Sequence, residues 1–314
     1  MVPPVDQGLA VKRKGEPVHG WVALDKPLGM TSTQAVAKVR RLFNAEKAGH
    51  GGTLDPLASG LLPIALGEAT KTVQWAMDGR KIYRFTVKWG EERSTDDLEG
   101  QISAQSVARP SQESIESILI QFQGDIMQAP PAFSAIKVDG ERAYELARAG
   151  EAVDLAPRPV HIEKLALTAC PDADHGVFEV TCGKGTYIRA LARDMGRVLG
   201  CFGHVTALRR IAVGALGEAQ MIPLEKLDQM GHKAPGDNAM NGVLRPLETM
   251  LDGIPALAVR DAEAQRLRQG QSVLLRGANA PIACDAVLVT WGSKPLGICS
   301  IEQGALKPKR LFNL

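Results

Sequence analysis

The sequence predicts an α+β fold on three observations. Lys81 to Trp89, KIYRFTVKW, alternates strictly: Tyr83, Phe85, Val87 and Trp89 share one face, and Arg84, Thr86 and Lys88 the other, the period of a half-buried strand. Downstream of GKGTY, the run Ile188, Leu191, Ala192, Met195 and Val198 has helical spacing, and Gly200 stands where that helix would stop. Strand-like and helix-like runs then mix without the regular βαβ rhythm of a doubly wound sheet. At 314 residues, 45% hydrophobic and 23% charged, the chain has material for one large unit and a small one.

Residues 1–19 mix Pro, Gly and charge without periodicity, most clearly in Met1 to Glu16, and are expected to form a loose leader. Order is expected from HGWVALDKPLGMTS, where a strand over Trp21 to Leu24 meets a Pro-Gly turn and Ser32 or Thr33 caps a helix. Val36, Val39 and Phe43 give that helix its apolar stripe. STDDLEG, Ser94 to Gly100, reads as a solvated polar turn, Ser111 to Gln123 as a helix, and GERAYELARAGE as a short helix stopped by Gly150. Strands are expected around His161 to Leu167 and Val177 to Cys182, and an exposed loop over Gly231 to Gly242. From residue 253 to 314, short β-type runs with Gly turns, SVLLRG, DAVLVTWG and PLGICSI, predict a small β-rich module. No internal repeat is visible.

Composition excludes several classes. The five cysteines are odd in number, widely spaced and without a C-x-x-C pair, which argues against a disulfide framework and a zinc site. No apolar run has the length of a membrane span, and the N-terminus lacks a signal-peptide segment, so a soluble, reduced, cytoplasmic chain is expected. The net charge of +2 proves no nucleic-acid partner, so such a partner would require clustered basic residues. Nothing suggests an obligate assembly, and a monomer is expected.

Two stretches carry candidate chemistry. In AGHGGTLDPLASG, Asp55 is the lone carboxylate among glycines and small or apolar residues, with His50 shortly before it. An aspartate beside Pro is ordinarily a turn residue, but the glycines here let a ligand approach the backbone. In CGKGTYIRALARDMGRVLGCFGHVTALRR, six basic residues face the single acid Asp194, and Arg189, Arg193 and Arg197 recur every fourth residue as one helical stripe. Such a stripe is as often a solvated face as a binding one. Arg189, in the first turn, can point into a cleft, where its fork would favour the charged form of an acid such as Asp55. A phosphate loop is excluded because Glu68 stands where its lysine should be. Paired-acid glycosidase chemistry fails on the polar setting of Asp96, Asp97 and Glu99, which also lack the calcium-loop pattern.

DKPLGMTS, GHGGTLDPLASGLLPIALGEATK, KIYRFTVKWG, PPAFSAIKVDGERAYELARAGE and the GKGTYIRA block resemble, in order, the motifs of bacterial TruB-type tRNA pseudouridine synthases, over about Gly20 to Leu251. Gly51 stands where that family usually has Thr, and Phe133 where it has Tyr. The C-terminal module is similar, more loosely, to PUA-like RNA-binding domains. The resemblance implies a pseudouridine-synthase fold, with a central mixed, mostly antiparallel sheet flanked by helices. It places a catalytic domain at 20–252 and an RNA-binding module at 253–314. It implies an isomerase acting on uridine 55 of the tRNA T-loop, with no metal, nucleotide or redox cofactor. By resemblance Asp55 is the nucleophile or base, Arg189 its partner and Tyr83 the stacking residue. His50 would fill the space of a flipped base, Tyr187 and Leu208 would line the uracil pocket, and Lys184 with the remaining arginines would meet phosphates. Whether Asp55 attacks the sugar, attacks the base or removes a sugar proton is open at this stage. A non-catalytic RNA-binding or RNA-folding protein, using the basic stripe and the β-module alone, would need no buried acid.

Overall fold

The computed structural model describes residues 15–138, 140–151, 153–231, 242–277 and 280–314. Most of the leader and of the loop expected at 231–242 therefore lies outside the described residues. Those leader residues that are described are tied down: Glu16 bridges Ala45, and His19 Nδ1 accepts from the Glu68 amide at 3.2 Å.

In chain order the strands of the first part are β1 (Gly20–Lys26), β2 (Ala48–His50), β3 (Ala58–Leu66), β4 (Lys81–Trp89), β5 (Glu91–Arg93), β6 (Ile102–Gln105) and β7 (Gly124–Gln128). Then follow β8 (Lys137–Val138), β9 (Glu141–Arg142), β10 (Arg158–Asp172), β11 (His175–Cys182), β12 (Gly203–Val213), β13 (Leu216–Gly217) and β14 (Ile222–Pro223). The helices are α1 (Ser32–Leu42), α2 (Val73–Asp78), α3 (Gln112–Ile118), α4 (Ala143–Arg148), α5 (Ile188–Val198), α6 (Leu224–Gly231) and α7 (Asp261–Arg268). Among the described residues none is long and apolar enough to cross a membrane.

A ten-stranded sheet runs β14-β1-β3-β12-β4-β11-β10-β7, with β2 on β3 and β13 on β12. The pairs β1/β14 and β3/β12 are parallel and the rest antiparallel, the mixed, mostly antiparallel sheet expected. Phe85, Val87 and Trp89 are buried, as the alternation in β4 requires, and pack with α3 and α5 against Phe178 of β11. On the other side of the sheet's centre, α1 and α6 cover β1 and β3 through Ala35, Val39 and Leu227.

Four details differ from expectation. Thr31, not Ser32 or Thr33, caps α1: its hydroxyl accepts from the Gln34 amide, and Gln34 accepts in return from the Thr31 amide, a reciprocal capping box. In α1 the buried stripe runs through Ala35 and Val39, while Val36 is only half-buried. The helix from Ser111 turns 3-10 at Leu119–Phe122. Val198, expected inward, is 52% exposed, and Leu199 packs against the core in its place.

The C-terminal sheet adds β15 (Ala256–Val259), β16 (Val273–Leu274), β17 (Cys284–Trp291), β18 (Lys294–Glu302) and β19 (Ala305–Leu311), ordered β15-β17-β18-β19-β16. It has its own core around Leu267, Val289, Cys299 and Leu306. Leu288, Ile298 and Phe312 join a second core with Trp21, Leu61 and Val213 of the large sheet. Glu68 helps fasten this junction: its carboxylate accepts from the Asn313 amide at 2.8 Å and pairs with Lys71, whose ammonium also donates to the Leu311 carbonyl.

Gly196 sets the seat of α5. A β-carbon there would stand 2.3 Å from the Gly203 nitrogen and 2.4 Å from the Phe202 carbonyl carbon, both backbone. Alanine would gain about 1 kcal/mol in helix propensity, but overpacking against main chain costs about 1–3 kcal/mol. Gly196→Ala is therefore expected to lower the unfolding free energy in urea by up to about 2 kcal/mol, net of the propensity gain. A more stable variant would contradict this packing.

Candidate functional site

The central strands β3, β12 and β4 meet at one cleft. In register, Leu208 of β12 lies opposite Ala58 on one side and Phe85 on the other, and Arg210 opposite Gly60 and Tyr83. Asp55 enters this cleft from the loop just before β3. Two interactions fix that loop. Ser32 Oγ donates to the Leu54 carbonyl at 2.9 Å and accepts from the Leu54 amide at 2.8 Å. Arg210, 1% exposed, donates to the carbonyls of Leu61, Thr53 and Gly52. The loop therefore holds its aspartate rigidly beside two well-ordered strands.

The cleft is lined by Asp55, Leu57, Asp97, Arg189 and the strand run from Val205 to Leu208. Arg189 Nε stands 3.0 Å from Asp55 Oδ2 and 3.6 Å from Asp97 Oδ2. The arginine side chain is 8% exposed and Asp55 is 41% exposed, so the carboxylate is presented outward from a buried cation. The sequence suggested a bidentate fork on Asp55. Instead the two terminal nitrogens hold backbone carbonyls, Nη1 that of Thr95 at 2.9 Å and Nη2 that of Phe133 at 3.0 Å, and only the Nε edge faces the acids.

Asp97 overturns the reading of STDDLEG as a solvated turn. Thr95, Asp96 and Asp97 are buried, Asp97 accepts from the Thr95 hydroxyl and the Glu99 amide, and a second acid does converge on the Asp55 cleft. The cause is α5, whose guanidiniums offset the burial of these carboxylates. One signal was available: consecutive acids in one turn, and arginines four residues apart on one helix. No local rule pairs the two. Ser32, Arg210 and Lys26 were likewise missed.

Tyr83 is half-buried on the face of β4 shared with Phe85, and the Arg210 guanidinium lies 6.0 Å from its ring centroid. Burial raises its phenol above the ordinary value, Arg210 opposing, so the ring is neutral at pH 7. Leu208 packs in the same two apolar clusters as Tyr83. Tyr187, half-buried at the head of α5, is held by Gln128 at the end of β7, which accepts from its amide at 2.8 Å and donates to its carbonyl at 3.1 Å. His50 ends β2; burial, and then Arg210, lower its pKa, and its Nδ1 is buried without a hydrogen-bond partner among the described residues.

Lys184 stands apart. It is exposed, donates to Asp78 at 2.8 Å, and lines a second concavity with Asp125, Val160 and His161. Two of the arginines are not placed to meet phosphate: Arg193 and Arg210 are buried, with their donors on protein acceptors. Arg197 is more exposed and forks onto Glu92, and Arg209 onto Asp25. Gly51 has a local cause: a β-carbon there would lie 2.6 Å from that of Ala76. Among the described residues no cluster of His, Cys, Asp or Glu is placed to hold a metal ion.

Three family models match consecutive parts of the chain: the N-terminal domain of TruB family pseudouridylate synthases at 40–188, the tRNA pseudouridylate synthase B C-terminal domain at 189–252, and the C-terminal part of pseudouridine synthase II TruB at 255–312. The tRNA pseudouridine synthase B of Bradyrhizobium diazoefficiens is 59% identical over 309 residues, covering 98% of this chain and 90% of that protein. That of Brucella melitensis biotype 1 is 53% identical over 316 residues, covering 96% and 98%. Among solved structures, the archaeal box H/ACA sRNP Nop10-Cbf5 complex has a chain of the same fold, with a TM-score of 0.73 at 23% identity, covering 98% of this chain and 94% of that one. A Cbf5-Nop10-Gar1 complex gives 0.71 at 24%, covering 94% and 85%.

Lys26, fully buried beside the cleft, donates to the carbonyls of Pro27 and Met30. Burial lowers its ammonium to about 8, Asp55 opposing and Arg210 reinforcing. Between pH 8 and 10.5 the unfolded chain holds a proton that the native one has given up, so this group's contribution to stability rises with pH in that window. Lys26→Met lacks the effect. Urea denaturation at pH 7.5 and 9.5 is expected to show wild type gaining on the variant at the higher pH, and a flat or reversed difference would refute the assignment.

Proposed function

The chain belongs to the TruB family of pseudouridylate synthases, and from that premise we propose that it converts uridine 55 of the tRNA T-loop to pseudouridine with Asp55 as the reacting carboxylate. It is a tRNA pseudouridine synthase, an isomerase. The observation that carries the residue assignment is the contact between a half-exposed Asp55 and a buried Arg189 at the floor of an open cleft.

In the reaction the C1′–N1 bond breaks, the uracil turns, and C1′ bonds to C5. N1 gains a proton and C5 loses one, so the atoms balance without a redox step. Asp55 acts first, on the sugar carbon, on the base or on a sugar proton. Arg189 fixes the carboxylate's direction, since its own position is determined by two carbonyls it cannot easily leave.

The uridine must leave the T-loop stack, at a cost of a few kcal/mol. A base laid on Tyr83 regains about 1–3 kcal/mol, with Leu208 and Tyr187 completing the pocket. His50, neutral at pH 7, is suited to the space the base vacates. Lys184 meets phosphate by exchanging Asp78, since an exposed pair of this kind is worth only about 0–1 kcal/mol. Residues 20–252 form the catalytic domain and 253–314 an RNA-binding module, and the protein works as a monomer in the cytoplasm. The two separate sheets support that division.

Release of tritium from C5-labelled uracil in a T-arm transcript tests the reading. Asp55→Asn is expected to abolish release while the transcript still binds, and appreciable turnover by this variant would remove Asp55 from the chemistry. Tyr83→Phe keeps the stacking face, whereas Tyr83→Leu loses it. Single-turnover rates are expected to fall at least about fivefold further for leucine than for phenylalanine, from the stacking term alone. Equal rates would refute stacking at this ring.

A further inference from the structure

The helix α5 carries its arginines one turn apart, and the second grips the same two segments as the first. Arg189 holds the Thr95 and Phe133 carbonyls. Arg193 holds the carboxylate of Asp96 at 3.0 Å through Nη1 and the Ala129 carbonyl at 2.8 Å through Nη2, while its Nε donates to Asp194 at 2.8 Å. Asp96 and Arg193 are 5% and 8% exposed. Asp96 has φ +60°, a left-handed conformation that an aspartate adopts more readily than most side chains but seldom without a local constraint. Its carbonyl accepts from the Val205 amide at 3.0 Å, on the strand that forms the cleft wall. Neighbouring carboxylates thus reach different guanidiniums: Asp97 faces Arg189 in the cleft, and Asp96 faces Arg193 behind it.

We propose that Asp96 and Arg193 are a positioning pair, which holds the 95–97 turn and the chain after β7 in the register that Arg189 needs to present Asp55. This rests on the reading of Asp55 as the reacting group. A pair of this kind is a poor source of stability, because both charges leave water. The groups around Asp96 agree. Burial pushes its carboxyl up to about 6 against the pull of Arg193 and Arg189 on α5, and Glu92 of β5 and Asp194 of α5 push the same way as burial. Asp97, the next residue of the turn, is the other acid close by and is engaged by Thr95, Glu99 and Arg189. As pH falls through about 6, Asp96 takes up a proton and its hold on Arg193 weakens.

The test is single-turnover pseudouridine formation on a T-arm transcript, with transcript affinity measured separately. Asp96→Asn keeps the shape and an acceptor for Arg193 but not the charge. It is expected to slow the chemical step about tenfold at pH 7.5 with transcript Kd within about twofold. Arg193→Gln is expected to do the same, and the double variant to lose no more than either single one, as a unit does. Wild type is expected to show an acid limb centred near pH 6 that Asp96→Asn lacks. A rate for Asp96→Asn within about twofold of wild type, a loss confined to affinity, or losses that multiply in the double variant would overturn the proposal. The wild-type profile needs no substitution, so a flat rate between pH 5 and 7 overturns it even if a variant fails to fold. Asp55→Asn in the same assay separates the two ideas. Turnover by that variant sinks the catalytic reading, whereas its silence beside an unimpaired Asp96→Asn sinks only the positioning pair.

Discussion

A single buried guanidinium organises the cleft at the centre of the larger sheet. Arg189 touches four chain segments at once: the Asp55 loop, the 95–97 turn, Phe133 and its own helix. Burying such a cation alone would cost several kcal/mol. Two carboxylates and two carbonyls offset that cost, and both acids sit on segments fixed by further contacts. Asp55 follows a loop pinned by Ser32 and Arg210, and Asp97 is held by Thr95 and the Glu99 amide. The result is a half-exposed carboxylate with little freedom to turn, held at the edge of a cleft. Preorganisation of this kind lowers a barrier without any motion of the protein during the chemical step.

The sheet explains why these parts meet. Asp55 and Tyr83 lie far apart in the chain from Arg189 and Arg210, yet β12 runs between β3 and β4 and brings its residues beside both. The parallel β3/β12 pair sits between antiparallel neighbours, so the loop before β3 and the first turn of α5 open on the same cleft. The stacked Phe85 and Phe178 and the edge of Trp89 fill the core against which α5 rests. β4 therefore carries Phe85, Val87 and Trp89 into the core and, on the same face, sets Tyr83 beside Arg210.

Local pattern was enough for elements whose partners are near or are simply apolar. The period of two in β4, the helical period in α5 and the β-rich character after Ile254 were all readable, because burial of one face dictates them. The polar centre was less legible. Ser94 to Gly100 has the composition of a solvated turn, and only the arrival of Arg189 and Arg193 from about a hundred residues away makes its burial affordable. For the same reason the arginine stripe looked like a surface for phosphates when two of its members are internal. The glycine-rich setting of Asp55 and the first-turn place of Arg189 single the two out as a candidate pair, but periodicity alone offers no means of bringing them together. Thr31 in place of Ser32 as the cap is a shift of one residue with a chemical reason: Ser32 is engaged at Leu54.

The fastening at Glu68 bears on the order in which this polypeptide can mature. Glu68 and Lys71 are made well before their partners Leu311 and Asn313, which lie 240 and 245 residues further along the chain. Until those partners emerge the short turn after β3 lacks its closing contacts, and Trp21 and Leu61 wait for Phe312 to cover them. Contacts so distant in sequence form slowly and late. The emerging chain must keep that greasy seam shielded, or transiently occupied, until β19 comes home.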